Sequence, residues 1–209
     1  PARRVDWDED GRPCQARWRS LAGLPTPRRV VLADDRMPAD AAFRLAAEGT
    51  ALLWRGDFHN ARQLLQAMAR RIDRKSRQSA AAGVVAAEDF HRYRLAQAQR
   101  ARTLGMVLLS FDADFHIPLR RAPEVRDACL AAHGPVEEGF VASLRELQGL
   151  IGAYEWRKKG VPVPALDARI HPHYGVFAPV RGEYVDLVAK SPIPTPCRLA
   201  FDVGTGTGV

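Results

Sequence analysis

Apolar residues recur at every third or fourth position between residues 58 and 75, which is the spacing of an amphipathic helix. The residues that share this face are Phe58, Ala61, Leu64, Leu65, Met68 and Ile72. A second helix is predicted at 143–160, because Ser143 and Glu146 form a capping box and Gly160 can end it. Further helices are predicted at 38–49, 87–105 and 122–134.

Short apolar runs between these helices predict strands. The runs RVVLADD (29–35) and MVLLSF (106–111) have the length and β-branched or apolar content of buried strands. The run TALLW (50–54) fits a strand or the start of a helix, because five residues do not separate the two periodicities.

Proline positions divide the chain into segments. Residues 1–28 are polar and interrupted by Pro13, Pro25 and Pro27, so we expect a loosely structured lead-in. Two prolines in VPVPALD (161–167) predict a domain boundary. The intervening residues, 29–160, are expected to form a mainly helical α+β recognition domain.

The positive charge of the chain is concentrated in one segment. Lys and Arg number 31 against 24 Asp and Glu, a net charge of +7. Residues 55–102 alone hold 11 basic and 4 acidic residues, so the rest of the chain is balanced. A localised basic patch favours a polyanion such as RNA, although cations at a helix C-terminus also stabilise the helix dipole. The candidate nucleic-acid-binding residues are Arg70, Arg71, Arg74, Lys75 and Arg77.

Several classes of protein and site are disfavoured. No apolar run reaches the ~20 residues of a membrane span, and no secretory leader is recognisable. The 3 cysteines are widely spaced, so we expect no disulfide framework and a cytoplasmic location. We also expect no metal, because His171 and His173 lack a third ligand and the calcium-like run DWDEDG (6–11) lacks its terminal glutamate.

The end of the sequence contains a glycine loop. The apolar run 199–203 is a predicted strand that leads directly into Gly204, Gly206 and Gly208. A P-loop would need a following lysine, and a dinucleotide fingerprint would need a small residue in place of Val209. The loop therefore fits neither nucleotide motif.

The run D-V-G-T-G-T-G (202–208) resembles motif I of class I methyltransferases that use S-adenosylmethionine. The resemblance implies that this loop surrounds the methionine and ribose parts of the cofactor. Asp202 would orient the loop and the ammonium side, and the glycines would allow close backbone approach. The implied cofactor-binding residues of the loop are Asp202, Gly204, Thr205, Gly206, Thr207 and Gly208.

A segment upstream of the loop is similar to the same enzymes. HPHYGVFAPVRGEYVDLVAKSP (171–192) resembles the segment before motif I in the small-domain group, which includes HemK-like glutamine methyltransferases and RNA N-methyltransferases. The resemblance places Phe177, Pro179 and Arg181 near the cofactor, with a helix at about 183–190 that covers a sheet face. PVRGEY stands where the HemK-like form has P-R-P-E-T-E, which leaves glutamine open as the acceptor.

The expected fold class is α/β: a mainly helical N-terminal domain followed by the start of a Rossmann-like methyltransferase fold. Residues 161–209 would supply the linker, the pre-motif segment, the first strand and the glycine loop. We expect the fold to be truncated after that strand. The catalytic residues, including an N/D-P-P-Y/W motif, would then lie beyond residue 209.

Three functions remain open from the sequence. The first is methyl transfer from S-adenosylmethionine to a nitrogen of RNA or protein. The second is protein glutamine methylation specifically, and the third is a basic nucleic-acid-binding or interaction module without catalysis. The tripeptide RGD (55–57) is interpreted as a chance occurrence, and DADFH (112–116) as a turn.

Overall fold

The computed structural model describes residues 3–79, 87–177, 182–192, 195–199 and 201–208. The chain divides into two compact units, Pro1–Gln148 and Gly149–Val209. The division falls inside a helix that starts in the first unit, whereas the prolines predict a boundary at 161.

The first unit contains a six-stranded mixed sheet, which confirms the α/β class. The sheet has the order β1-β2-β6-β5-β4-β3. Strands β3, β4 and β5 are mutually parallel, β6 runs antiparallel to β5, and β2 is parallel to β6. The strands are β1 Arg4–Glu9, β2 Arg12–Trp18, β3 Arg29–Ala33, β4 Thr50–Trp54, β5 Val107–Phe111 and β6 Phe140–Ser143.

Helices connect the parallel strands, as the apolar periodicity predicts. α1 links β3 to β4, α2 and α3 link β4 to β5, and these three helices contact one another. The apolar face of α2 is buried at Ala61, Leu65 and Met68. The helices of this unit are α1 Ala39–Ala47, α2 Phe58–Ser79, α3 Ala87–Leu104, α4 Arg126–His133 and the start of α5 Leu144–Lys159.

All six strands contribute to one buried apolar cluster, the sheet cluster. The edge strands of the sheet, β1 and β3, contact each other although they are not neighbours in the sheet order. The sheet therefore curls around the cluster. In β4, Ala51 and Leu53 face the cluster, and alternation places Leu52 and Trp54 on the opposite face. Both faces of β4 are covered, which resolves TALLW as a central strand. The cluster consists of Val5, Trp18, Val30, Ala51, Leu53, Leu108 and Val141.

The prediction of a loose lead-in is wrong, because residues 4–18 form the hairpin β1–β2. Asp10 and Gly11 join the strands with φ of +54° and +73°. An Asp-Gly pair at these angles is the preferred two-residue hairpin turn. The acidic run DWDEDG (6–11) therefore ends in the turn of this hairpin. At the other end of β2, the side chain of Trp18 is only 6% exposed.

The second unit holds the end of α5, a short hairpin and one further helix. The predicted linker instead forms β7 Val161–Val163, which pairs antiparallel with β8 Ala168–Ile170. The helix expected at about 183–190 is confirmed as α6 Glu183–Lys190.

The predicted strand at 199–203 is not formed in the described residues of that run. The side chains of Leu199, Phe201 and Val203 are 70%, 81% and 93% exposed. A strand needs a hydrogen-bonded neighbour, and none pairs with this run in the described part of the chain. The apolar pattern alone therefore does not make a strand here.

We expect Leu53→Ala to lower the free energy of unfolding by about 2–5 kcal/mol, since it leaves a cavity among tightly packed side chains. Leu53 is 0% exposed within the sheet cluster. Urea unfolding followed by circular dichroism measures the change. Leu130→Ala is the control, because Leu130 is 42% exposed and its loss should cost under about 1 kcal/mol. Equal effects of the two substitutions would contradict the assignment of the core.

Candidate functional site

The glycine loop has backbone angles that only glycine adopts readily. Gly204, Gly206 and Gly208 have φ of +84°, +56° and +74°. The Gly208 N–H donates to the Thr205 carbonyl at 2.8 Å, which closes a tight turn. The glycines are thus needed for the shape of the loop itself, since side chains rarely tolerate positive φ.

The structure brings Phe177 against this loop. A Cβ atom at Gly206 would lie 3.1 Å from the Phe177 carbonyl oxygen and 3.6 Å from its Cβ. The Phe177 ring is 68% exposed and lies 6.4 Å from the Tyr184 ring of α6. The loop, Phe177 and the start of α6 therefore form one local arrangement within the second unit.

The remaining predicted cofactor residues differ in their surroundings. Asp202 and Thr205 are exposed, and Thr207 is half-buried. The Asp202 carboxylate makes no hydrogen bond among the described residues. Pro179 and Arg181 lie outside the described residues.

The predicted nucleic-acid-binding residues on α2 divide into two kinds. Arg70 and Arg74 are exposed, and neither makes an ion pair in the described part of the chain. Arg71 instead forms an ion pair with Asp40, and its guanidinium group lies 5.0 Å from the centroid of the Phe43 ring. Both partners belong to α1, so Arg71 also links α2 to α1. The side chains of Lys75 and Arg77 lie outside the described residues.

Helix α3 carries exposed aromatic residues that the sequence analysis did not single out. Phe90 and Tyr93 are 56% and 61% exposed, and Leu95 is 57% exposed. The Arg94 guanidinium lies 5.9 Å from the Phe90 ring centroid. The sequence feature that could have identified them is the run FHRYR (90–94), in which aromatic residues are interleaved with arginines. This combination suits the binding of nucleic acid.

A buried carboxylate anchors the loop after β4, and sequence reasoning missed it. Asp57 is 3% exposed and accepts hydrogen bonds from Nε of Arg121 at 2.7 Å and of Arg120 at 3.1 Å. It also accepts the His59 N–H at 2.8 Å, at the start of α2. Hydrogen bonding to Arg121 is the main cause that lowers the pKa of Asp57 to about 2.

The other residues of the RGD tripeptide have comparable structural contacts. Arg55 makes a bidentate pair with Glu9 at 2.7 and 2.8 Å and donates to Ser110 Oγ at 3.0 Å. A Cβ atom at Gly56 would lie 2.3 Å from Asp35 Oδ1, so no side chain fits there. These contacts explain the tripeptide as part of the fold of the first unit.

Neither a metal centre nor a membrane-spanning helix is found in the described ranges. No group of three or more His, Cys, Asp or Glu side chains is arranged to hold a metal ion there. None of the helices there combines the length and apolar content that a bilayer crossing requires.

We expect Asp57→Asn to lower the melting temperature at neutral pH by several degrees, because it removes a buried carboxylate from two guanidinium groups. A lowered pKa in the folded state contributes stability above the unfolded pKa of about 4, which is lost as pH falls toward about 2. The difference in melting temperature between wild type and variant should therefore become smaller as the pH falls from about 4 to about 2. Calorimetry measures this difference. Glu137→Gln, at an exposed position, is the control. A gap independent of pH would contradict the role of the ionised carboxylate.

Comparison with known proteins gives no relative of this chain. No protein-family model matches the sequence. No curated protein matches it either, and no solved structure matches the fold.

Proposed function

We propose that the glycine loop binds S-adenosylmethionine and that the protein carrying this sequence is a methyltransferase. The observation that carries the proposal is the run 202–208, whose glycines all have positive φ and whose Gly206 lies against Phe177. A loop of this shape exposes backbone amides at close range to a ligand. The resemblance to motif I identifies the ligand class.

The chemistry proposed for this loop needs binding and alignment of the cofactor. Methyl transfer is an in-line displacement in which the acceptor nitrogen attacks the methyl carbon as the carbon–sulfur bond of the sulfonium breaks. The protein contributes chiefly by positioning the two reactants. The exposed carboxylate of Asp202 would attract the cationic methionine portion, and Phe177 would shield the bound cofactor from water. The residues that hold the acceptor remain unassigned.

RNA is the acceptor class that the first unit favours. Arg70 and Arg74 offer guanidinium groups that no carboxylate neutralises within the described residues, and Phe90 and Tyr93 offer exposed rings on which bases can stack. The pair between Arg100 and Asp73, at 2.9 Å, joins α3 to α2. Tyr93 lies about 10 Å along α3 from that pair. A protein acceptor, including glutamine, remains the alternative.

We expect Gly206→Ala in the full-length protein to weaken S-adenosylmethionine binding at least about tenfold, because the methyl group strains a positive φ and crowds Phe177. Isothermal titration calorimetry measures the affinity. Gly49→Ala is matched for backbone strain, since Gly49 has φ of +89° with open space around it. It should leave the affinity unchanged. Undiminished binding by Gly206→Ala, or no binding by the wild type, would refute the proposal.

We expect Phe90→Ala/Tyr93→Ala to weaken binding of a single-stranded RNA 12-mer by about tenfold or more, through the loss of two stacking surfaces. Arg70→Gln/Arg74→Gln should also flatten the salt dependence, lowering the slope of log K against log salt by about 1.4. Fluorescence anisotropy at several salt concentrations measures both effects.

Arg12→Gln removes one exposed arginine on the hairpin and is the control for general charge loss. If both helix variants, Phe90→Ala/Tyr93→Ala and Arg70→Gln/Arg74→Gln, bind RNA like the wild type, an RNA acceptor held by these helices is excluded. RNA binding without any S-adenosylmethionine binding would favour the non-catalytic basic module.

A further inference from the structure

A cavity of about 240 Å³ lies in the first unit where β2 ends. Arg17 and Arg19 line it from either side of Trp18, whose side chain is buried in the sheet cluster. Alternation along the strand therefore puts both arginines on the face opposite to the core. Arg3 and His133, the last residue of α4, complete its basic lining.

The wall of the cavity is held in place by hydrogen bonds. The Trp18 Nε1–H donates to the Leu24 carbonyl at 3.0 Å. Glu146 is 8% exposed and accepts from Ser20 Oγ and the Leu21 N–H, each at 3.0 Å, and from the Ala22 N–H at 3.3 Å. The Glu146 carboxylate therefore already accepts hydrogen bonds from the loop that follows β2.

The basic groups of the cavity lack sufficient acidic partners. Glu138 lies 4.0 Å from Arg17 and is shared with Arg4 at 3.4 Å. Neither Arg3 nor Arg19 has a carboxylate within ion-pair distance in the described part of the chain. Arg19 is half-buried, donates to the His133 carbonyl at 3.4 Å, and lies 5.5 Å over the Phe140 ring.

Two further observations concern the polar groups that line the cavity. Burial, and then the neighbouring Arg17, lower the pKa of Arg19, which is the mark of a guanidinium that lacks compensation. His133 Nδ1 is buried and has no hydrogen-bond partner among the described residues. Burial, and then the charge of Arg19, lower the pKa of His133, although the nearby Glu146 carboxylate opposes the shift. Buried polar groups in native proteins normally have partners.

We propose that this cavity binds a phosphate group, held by Arg19 with Arg17 and Arg3 around it. Guanidinium groups bind phosphate through paired, charge-assisted hydrogen bonds. A cavity below the ~300 Å³ of drug-sized sites suits one phosphoryl group rather than a whole nucleotide. The site consists of first-unit residues and is independent of the methyltransferase proposal.

The test is a thermal-shift and calorimetric titration of the protein with sodium phosphate against sodium chloride at matched ionic strength. Phosphate should raise the melting temperature of the wild type by several degrees. Arg19→Gln should bind phosphate at least about tenfold more weakly, while Arg12→Gln, at the other end of β2, should bind it normally. Without phosphate, Arg19→Gln should be no less stable than the wild type, because it removes an uncompensated charge.

A second measurement does not depend on any variant. Two-dimensional long-range ¹H–¹⁵N NMR of the histidine rings should show a shift at His133 on addition of phosphate, with the other rings unaffected. Equal stabilisation of wild type, Arg19→Gln and Arg12→Gln would overturn the proposal, as would an unperturbed His133.

Competition distinguishes the sources of the phosphate group. A 5′-phosphorylated oligoribonucleotide that displaces inorganic phosphate far better than its 5′-hydroxyl counterpart would assign the site to an RNA end. Equal and poor competition by both oligonucleotides, with phosphate still bound, would assign it to a small phosphorylated molecule. Displacement by the 5′-hydroxyl form as effectively as by the phosphorylated form would contradict a phosphate-specific site.

Discussion

The first unit depends on a single constraint: six strands must bury one common apolar cluster. Each strand contributes at least one member, from Val5 in β1 to Val141 in β6. The sheet satisfies this by curling until its edge strands β1 and β3 touch. Burial of this kind is the main favourable term in folding, so the hairpin at the start of the chain is part of the core.

Ion pairs hold the loops at the edge of this core in place. The Asp57 carboxylate joins the start of α2 to Arg120 and Arg121, which lie far away in sequence. Arg55 similarly joins β4 to Glu9 and Ser110. A buried carboxylate such as Asp57 is costly unless it is fully partnered, and the partly exposed Glu9 is partnered as well.

The two units differ in how they use apolar residues. In the first unit, strands β4 and β6 are buried along their whole length. In the second, Phe177, Leu187 and Val188 are 68%, 68% and 74% exposed. The glycine loop nevertheless has a defined shape, because its turn hydrogen bond and its contact with Phe177 are local. Its geometry therefore does not require a completed sheet.

Local sequence determined the elements whose signals are contained in a few neighbouring residues. Periodicity located α2, Ser143 and Gly160 bounded α5, the glycine run located the loop, and the methyltransferase resemblance located α6. The predicted capping box is only half correct, because Ser143 Oγ accepts the Arg145 N–H but the Glu146 carboxylate bonds the loop after β2 instead of the start of its own helix. Tertiary structure alone decided which short runs became strands, since a strand exists only through its partners. Val141 in β6 gained such a partner, whereas Phe201 has none within the described residues. The cavity at Arg19 was likewise invisible in the sequence, because its arginines, Ser20 and His133 meet only after the sheet has curled and α4 has packed.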